Sequence, residues 1–94
     1  MIGSYRDKDT ERLAAGETIR NWAPFRKQGE KRLRILDAAT SLGDLAALNS
    51  NRLEALKGNR KGQYSIRIND QWRICFNWSK NEGGPSNVEI VDNH

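Results

Sequence analysis

Gln63-Tyr64-Ser65-Ile66-Arg67-Ile68-Asn69-Asp70-Gln71-Trp72-Arg73-Ile74-Cys75-Phe76-Asn77-Trp78 is the stretch that decides the fold. Apolar and polar residues alternate through both of its halves, as they do in strands with one buried face. Tyr64, Ile66 and Ile68 share a face in the first half, and Gln63, Ser65 and Arg67 take the other. In the second half Trp72, Ile74, Phe76 and Trp78 point inward, and Gln71, Arg73, Cys75 and Asn77 point outward. A two-residue turn at Asn69-Asp70 would pair Ile66 with Arg73 and mix the faces. A three-residue loop, Asn69-Asp70-Gln71, pairs Ile68 with Trp72, Ile66 with Ile74 and Tyr64 with Phe76, and is therefore the expected one. The same register sets Arg67 directly opposite Arg73 on an open sheet face. Like charges in that position cost about a few tenths of a kcal/mol unless solvent screens them or an anion binds between them.

Outward from this hairpin, residues 52–56 read as a short strand, and residues 57–62 as a basic, glycine-punctuated loop. Residues 79–87 read as a loop carrying Gly83-Gly84-Pro85, and residues 88–91 as a last strand. The first half of the chain is different. Residues 2–5 fit a short first strand. Asp7, Asp9 and Thr10 offer cap oxygens for a helix over residues 11–15, which Gly16 ends. Pro24 breaks residues 17–24 into a loop or an irregular helix, with Trp22 and Phe25 turned inward. A longer helix is predicted over residues 26–40, weakened at Gly29. Ser41-Leu42-Gly43-Asp44 is a cap signature for one further turn over residues 45–48. No repeat or linker interrupts the pattern, so a single domain over residues 1–94 is expected.

Composition narrows the function classes. The chain has 94 residues, 36% of them hydrophobic, and a formal net charge of +4. This describes a folded domain with a thin core. The longest apolar runs, residues 45–48 and 74–76, are far short of a membrane span, and the start MIGSYRDKD does not read as a secretory signal. Cys75 is alone, so neither an internal disulfide nor a thiolate zinc cluster is available. The only histidine is His94, which rules out a multi-histidine metal site and a triad built on an interior His. No metal or cofactor, no membrane association and a cytoplasmic location are the expectations.

Within residues 57–73, five basic residues (Lys57, Arg60, Lys61, Arg67 and Arg73) stand against one acidic residue, Asp70. Guanidinium groups bind phosphate oxygens in pairs and stabilise charge that develops on a phosphorane-like transition state. The same arginines are equally consistent with solvated strand residues. Tyr64 and Trp78 fit core packing, or base stacking where a sheet edge exposes them. Arg26, Lys27, Lys31, Arg32 and Arg34 give the long helix a second basic patch, either a solvated face or a contact with nucleic-acid backbone. Asp92-Asn93-His94 follows the last strand directly and would bring a carboxylate and an imidazole to the edge of the basic face. An imidazole titrates in the range suited to proton transfer near neutral pH.

Arg52-Leu53-Glu54-Ala55-Leu56-Lys57-Gly58, then residues 62–76, then Val88-Glu89-Ile90-Val91-Asp92, closely resemble the HigB branch of the RelE/ParE toxin superfamily, and Leu36-Asp37-Ala38-Ala39-Thr40-Ser41 fits the same branch. The resemblance implies an α+β fold: a small antiparallel or mixed β-sheet with two N-terminal helices packed on one face. It implies a type II toxin that acts as a ribosome-dependent messenger-RNA endoribonuclease, cutting in the A site and inhibiting translation. The chemistry would be metal-independent, with the ribose 2′-hydroxyl attacking the adjacent phosphate. The implied partner is a HigA-like helix-turn-helix antitoxin in a toxin–antitoxin hetero-oligomer. By position, Arg73 would steady the transition state, Lys57 would hold phosphate, and Asp92 with His94 would form the terminal acid–histidine pair, with His94 moving protons. Arg67, Arg60 and Lys61 would bind RNA, Arg67 by geometry rather than by a matched position. Two residues depart from the branch: Asn93 stands where the terminal motif carries tyrosine, and Glu54 stands where some members have a catalytic histidine. Asn93 opens a second reading, a weakened or inactive toxin that serves mainly as an antitoxin-binding module. A gyrase poison, as in the ParE branch of the scaffold, is a third.

Overall fold

The computed structural model describes residues 1–79 and 83–92. Helices α1 (Lys8–Ala14), α2 (Arg26–Ala38) and α3 (Leu42–Ala47) precede strands β1 (Glu54–Ala55), β2 (Gln63–Arg67), β3 (Trp72–Ser79) and β4 (Gly84–Asp92). The strands form one antiparallel sheet in the order β1-β2-β3-β4. The architecture is thus α+β with the helices on one sheet face, as the resemblance implied, with a short third helix, α3, added to the two it called for.

The central hairpin has the predicted register. Tyr64 pairs with Phe76, Ile66 with Ile74 and Arg67 with Arg73. The Ile68 N–H donates to the Trp72 carbonyl at 2.9 Å, and the tip is held by Asn69, whose Oδ1 accepts from the backbone N–H groups of Gln71 and Trp72, both at 2.8 Å. An Asn at that point fixes the tip, and the apolar alternation fixes what lies on each side.

The core lies between the sheet and the helices. Leu13, Leu33, Leu36, Leu45, Ile66, Ile74, Phe76 and Val88 are sealed in it. Trp22 and Phe25 are buried, as expected. They come from a 3₁₀ segment, Arg20–Phe25, that runs through Pro24. Phe25 stacks on Trp72 with ring centroids 5.0 Å apart, and Trp22 meets Trp72 edge-on at 6.4 Å. Tyr64 and Trp78 are half-buried against the same core, which favours packing over base stacking.

Three expectations are corrected. Residues 2–5 form no strand of their own. They run parallel to β4 through a single bridge, Tyr5 to Val88, with backbone hydrogen bonds from Gly3, Arg6 and Val88. The last strand begins at Gly84, four residues earlier than predicted, because Gly84-Pro85 reads as loop. At the sheet edge Gly84 lies so close to the Met1 carbonyl that a Cβ would fall 2.7 Å from its oxygen, so glycine is required for the close approach. Between Cys75 and Asn77 the β3–β4 register slips by one residue, and Asn87 takes a positive φ of 50° there. Finally, α1 begins at Lys8 rather than residue 11, since Asp7 caps it by accepting from the Thr10 N–H at 3.1 Å. Gly16 ends it with φ of 93°, and the Glu17 N–H reaches back to the Arg12 carbonyl at 3.0 Å.

Thr10 ties α1 to the sheet. Its hydroxyl donates to Asp7 Oδ1 at 2.6 Å and accepts from the Ile90 N–H at 3.1 Å, with the residue fully buried. Thr10→Val leaves that N–H without an acceptor and is expected to cost about 1–3 kcal/mol. The check is a lower urea midpoint with an unchanged m-value.

Candidate functional site

The sheet face turned away from the helices was expected to be open, with Arg67 and Arg73 converging on it. It is half-covered instead. Ser65 is fully buried, Cys75 is 4% exposed and Arg73 is 7% exposed. Arg73 sits opposite Arg67 in the register, but the two side chains take separate acceptors. Arg73 leans back along β2: its Nε donates to Ser65 Oγ at 2.8 Å, and its Nη2 donates to the Arg52 carbonyl at 2.8 Å and lies 3.9 Å from Glu54 Oε2. Arg67 turns toward the hairpin tip and pairs with Asp70. Divergence relieves the like-charge opposition, and two guanidinium groups remain on the same side of the sheet.

Long side chains from elsewhere complete this face. Arg60 Nη1 lies 3.3 Å from Glu89 Oε2 and donates to Gln63 Oε1 at 3.1 Å, while Arg6 reaches the same Glu89 oxygen at 3.3 Å. Glu89 faces Cys75 across the sheet. Burial pushes the Cys75 thiol up; the Arg60 and Arg73 charges work against that shift and Glu89 works with it. The thiol stays protonated and unreactive, in keeping with a small packing residue.

The other sequence-predicted residues fall in different places. Lys57 and Lys61 are exposed and make no ion pair among the described residues. The Leu56 N–H pairs with the Gln63 carbonyl. Lys57 therefore stands beside the start of β2, about 10 Å along the sheet from the Ser65 that holds Arg73. Asp92 is not on the basic face. It pairs with Trp72, whereas Arg73 pairs with Val91, so strand alternation sends Asp92 to the helix-covered side, where it accepts from Gln71 Nε2 at 3.1 Å. The sequence puts Asp92 one residue after Val91 in a strand that runs to its end, and that single step changes the face. His94 and Asn93 lie outside the described residues.

Ser65, Glu89 and Arg6 were missing from the sequence-derived site, and Glu54 entered the reading only as a departure from the branch's catalytic histidine. Glu54 and Ser65 are a cross-strand pair flanking Arg73. Their signal was the alternation of β2 extended to β1, one more strand than the reading carried it. Glu89 was marked by its place between Val88 and Ile90. Nothing in the sequence marked Arg6. In the second basic patch Glu30 pairs with Arg26 at 2.8 Å and approaches Arg34 at 3.9 Å, so its single carboxylate offsets one of the five positive charges. Among the described residues no group of three or more His, Cys, Asp or Glu is placed to hold a metal ion, and no helix is long and apolar enough to cross a membrane.

A cationic sheet face held by a buried arginine is the feature to set beside known proteins. Residues 4–94 match the family described as RelE-like toxin of type II toxin-antitoxin system HigB. The chain belongs to this HigB toxin family. It is similar to Toxin HigB-1 of Vibrio cholerae serotype O1, with 46% identity over 79% of this chain and 70% of that protein. It is also similar to Endoribonuclease HigB of Proteus vulgaris, with 36% identity over 62% of each chain. Type II systems join a toxin to an antitoxin, so membership of the HigB family gives the chain an antitoxin as its partner.

Proposed function

We propose that this HigB-family toxin is a ribosome-dependent endoribonuclease that cuts messenger RNA in the A site, in the cytoplasm, and is neutralised by a HigA-like helix-turn-helix antitoxin. The observation that carries the reading is Arg73, a charged residue held in a fixed orientation on the outer sheet face by Ser65 and the Arg52 carbonyl. A guanidinium fixed before substrate arrives needs no reorganisation as charge develops on the phosphorus. The relative named an endoribonuclease supports the same reaction class.

In this mechanism the ribose 2′-hydroxyl attacks the adjacent phosphorus, the P–O5′ bond breaks and a 2′,3′-cyclic phosphate forms. Arg73 stabilises the pentacoordinate charge. Lys57, exposed on the same sheet edge and without an ion pair among the described residues, holds a phosphate oxygen. Arg67, Arg60 and Lys61 contact RNA backbone, and Arg60 must exchange Glu89 for phosphate to do so. His94 carries the proton from the attacking 2′-hydroxyl to the leaving 5′-oxygen. Asp92, bonded to Gln71, serves as a positioning residue that fixes the end of β4.

The test is cleavage on purified ribosomes carrying a defined messenger. Cuts in the A site, no cuts in the same RNA without ribosomes, cyclic-phosphate ends and indifference to a metal chelator are the expected results. Transcripts that stay intact on programmed ribosomes overturn the reading. Asn93 favours a second one, a weakened toxin that mainly binds antitoxin. Asn93→Tyr then raises the cleavage rate; an unchanged rate clears Asn93.

A further inference from the structure

Beside the outer face lies a cleft of about 530 Å³, lined by Gln28 and Arg32 from α2, Asn49, Ser50 and Arg52 from the segment before β1, and the hairpin-tip residues 67–70. Three guanidinium groups (Arg32, Arg52 and Arg67) share it with one carboxylate, Asp70, which is 95% exposed.

Arg32 is a fixed element of the wall. Its Nη1 donates to Asn51 Oδ1 at 2.7 Å and to Ser50 Oγ at 3.2 Å, and Asn51, fully buried, is itself anchored through Nδ2 to the Leu45 carbonyl at 3.0 Å. Arg52 is the opposite case. It adopts a left-handed conformation, φ 45° and ψ 55°, that arginine rarely takes. Its side chain is exposed, with no hydrogen bond or ion pair among the described residues. Its carbonyl is the group that holds Arg73. The backbone strain thus serves two directions at once: the carbonyl points to Arg73 and the side chain borders the cleft. Asn69 uses its Oδ1 to hold the hairpin tip, which leaves Nδ2 as a donor beside Gln28, Asn49 and Ser50. Among the described residues Ile68 is the only large apolar side chain in the lining.

We propose that this cleft binds a backbone phosphodiester of the single-stranded RNA next to the one at Arg73, with Arg52 as the side chain that engages it. The inference rests on the reading of the chain as an RNA-cutting toxin and adds a second phosphate subsite to it. Net positive charge, planar guanidinium donors and amide groups suit phosphate and ribose oxygens. With Ile68 as its single large apolar side chain among the described lining residues, the cleft offers few anchor points for the side chains of a protein segment. Arg52 joins the two sites, so a strand crossing the outer face at Arg73 enters the cleft within a short length of backbone.

The probe is a fluorescein-labelled 2′-O-methyl dodecauridylate, which binds but offers no 2′-hydroxyl for attack, followed by anisotropy across a salt series. Arg52→Gln is expected to weaken binding several-fold at low salt and to lower the slope of log K against log salt by about 0.7, one phosphate contact on a single strand. Arg67→Gln should lower it by a similar amount, while Lys8→Gln on α1 leaves it unchanged. Thermal melts matching the wild type show that the variants are folded. A wild-type slope and affinity for Arg52→Gln overturns the proposal, whatever Arg67→Gln does. So does weaker binding of hexaglutamate by Arg52→Gln with oligonucleotide binding intact, which assigns the cleft to an acidic protein segment. The two readings separate cleanly. If Arg73→Ala abolishes cleavage while both arginine variants keep the wild-type slope, only the cleft fails. If the arginine variants lose slope while programmed ribosomes keep their messenger intact, only the nuclease reading fails.

Discussion

Arg73→Ala is expected to slow cleavage on programmed ribosomes by roughly 10²–10³-fold, the usual loss when one preorganised charge-stabilising donor is removed from a reacting centre. The same substitution has a structural cost that must be separated from the chemical one. Arg73 is 7% exposed and donates to Ser65 Oγ and the Arg52 carbonyl. Truncation strips both acceptors of a donor and leaves Glu54 beside an empty position, at a cost of about 1–3 kcal/mol. In a domain of this size that lowers the melting temperature by about 4–8 °C per kcal/mol. Single-turnover cleavage measured well below the melting point reads the chemistry alone. Arg73→Lys sharpens the test. An ammonium keeps the charge but cannot reproduce the fixed fork that bonds Ser65 and Arg52 while facing substrate. It should recover more stability than rate. Wild-type cleavage by Arg73→Ala removes Arg73 from the mechanism, and full rate in Arg73→Lys reduces its role to charge. Antitoxin binding by Arg73→Ala should persist throughout, since the fold it presents is intact.

The parts of this molecule that were legible in the sequence are those governed by local rules. The β2–β3 register follows from where Ile66, Ile74, Tyr64 and Phe76 must point, and Asn69 supplies the turn chemistry on the spot. The capping of α3 was likewise written in Ser41, whereas for α1 the sequence offered three cap oxygens and only the structure selects Asp7. What the sequence hid depends on partners distant along the chain. Arg73 looks like a solvated strand residue until the carbonyl of Arg52, 21 residues away, is placed beside it. Arg60 looks like a free loop cation until Glu89 is brought to it by β4. Asp92 was put with the basic face because strand alternation was not carried to the end of β4, where one residue separates Val91 beside Arg73 from Asp92 beside Trp72. The start of β4 was hidden for a different reason. Gly84 and Pro85 are loop formers by propensity, and here an edge position beside the N-terminal segment tolerates both.

Phe76→Ala should produce the largest loss of stability of any single substitution considered for this chain. Phe76 is fully buried in the middle of β3. Its ring stacks on Tyr64 across the strand pair, with centroids 6.2 Å apart, and meets Trp78 edge-on at 6.5 Å. On its other flank β4 slips register, so no paired β4 residue stands directly opposite it to move into the vacated space. A cavity there cannot close without disturbing the bulge at Asn87 or the hairpin register, so the cost should sit in the upper part of the range for buried aromatics, about 3–5 kcal/mol. Domains of this kind are stable by only about 5–15 kcal/mol in total, and a thin core leaves this one little reserve. The expected result is a fall in melting temperature on the order of 15–30 °C and a large drop in urea midpoint. Tyr64→Phe provides the contrast. It keeps the stacked ring at a half-buried position and should change the midpoint little. A loss below about 1 kcal/mol for Phe76→Ala would mean that the β3–β4 slip absorbs the cavity, and the bulge would then be a compliant element. Because Arg73 hangs from the same strand three residues earlier, a compliant β3 could not hold that guanidinium in place before substrate arrives. On the proposed mechanism, a large loss for Phe76→Ala thus goes with a β3 rigid enough to hold Arg73 in place before substrate arrives.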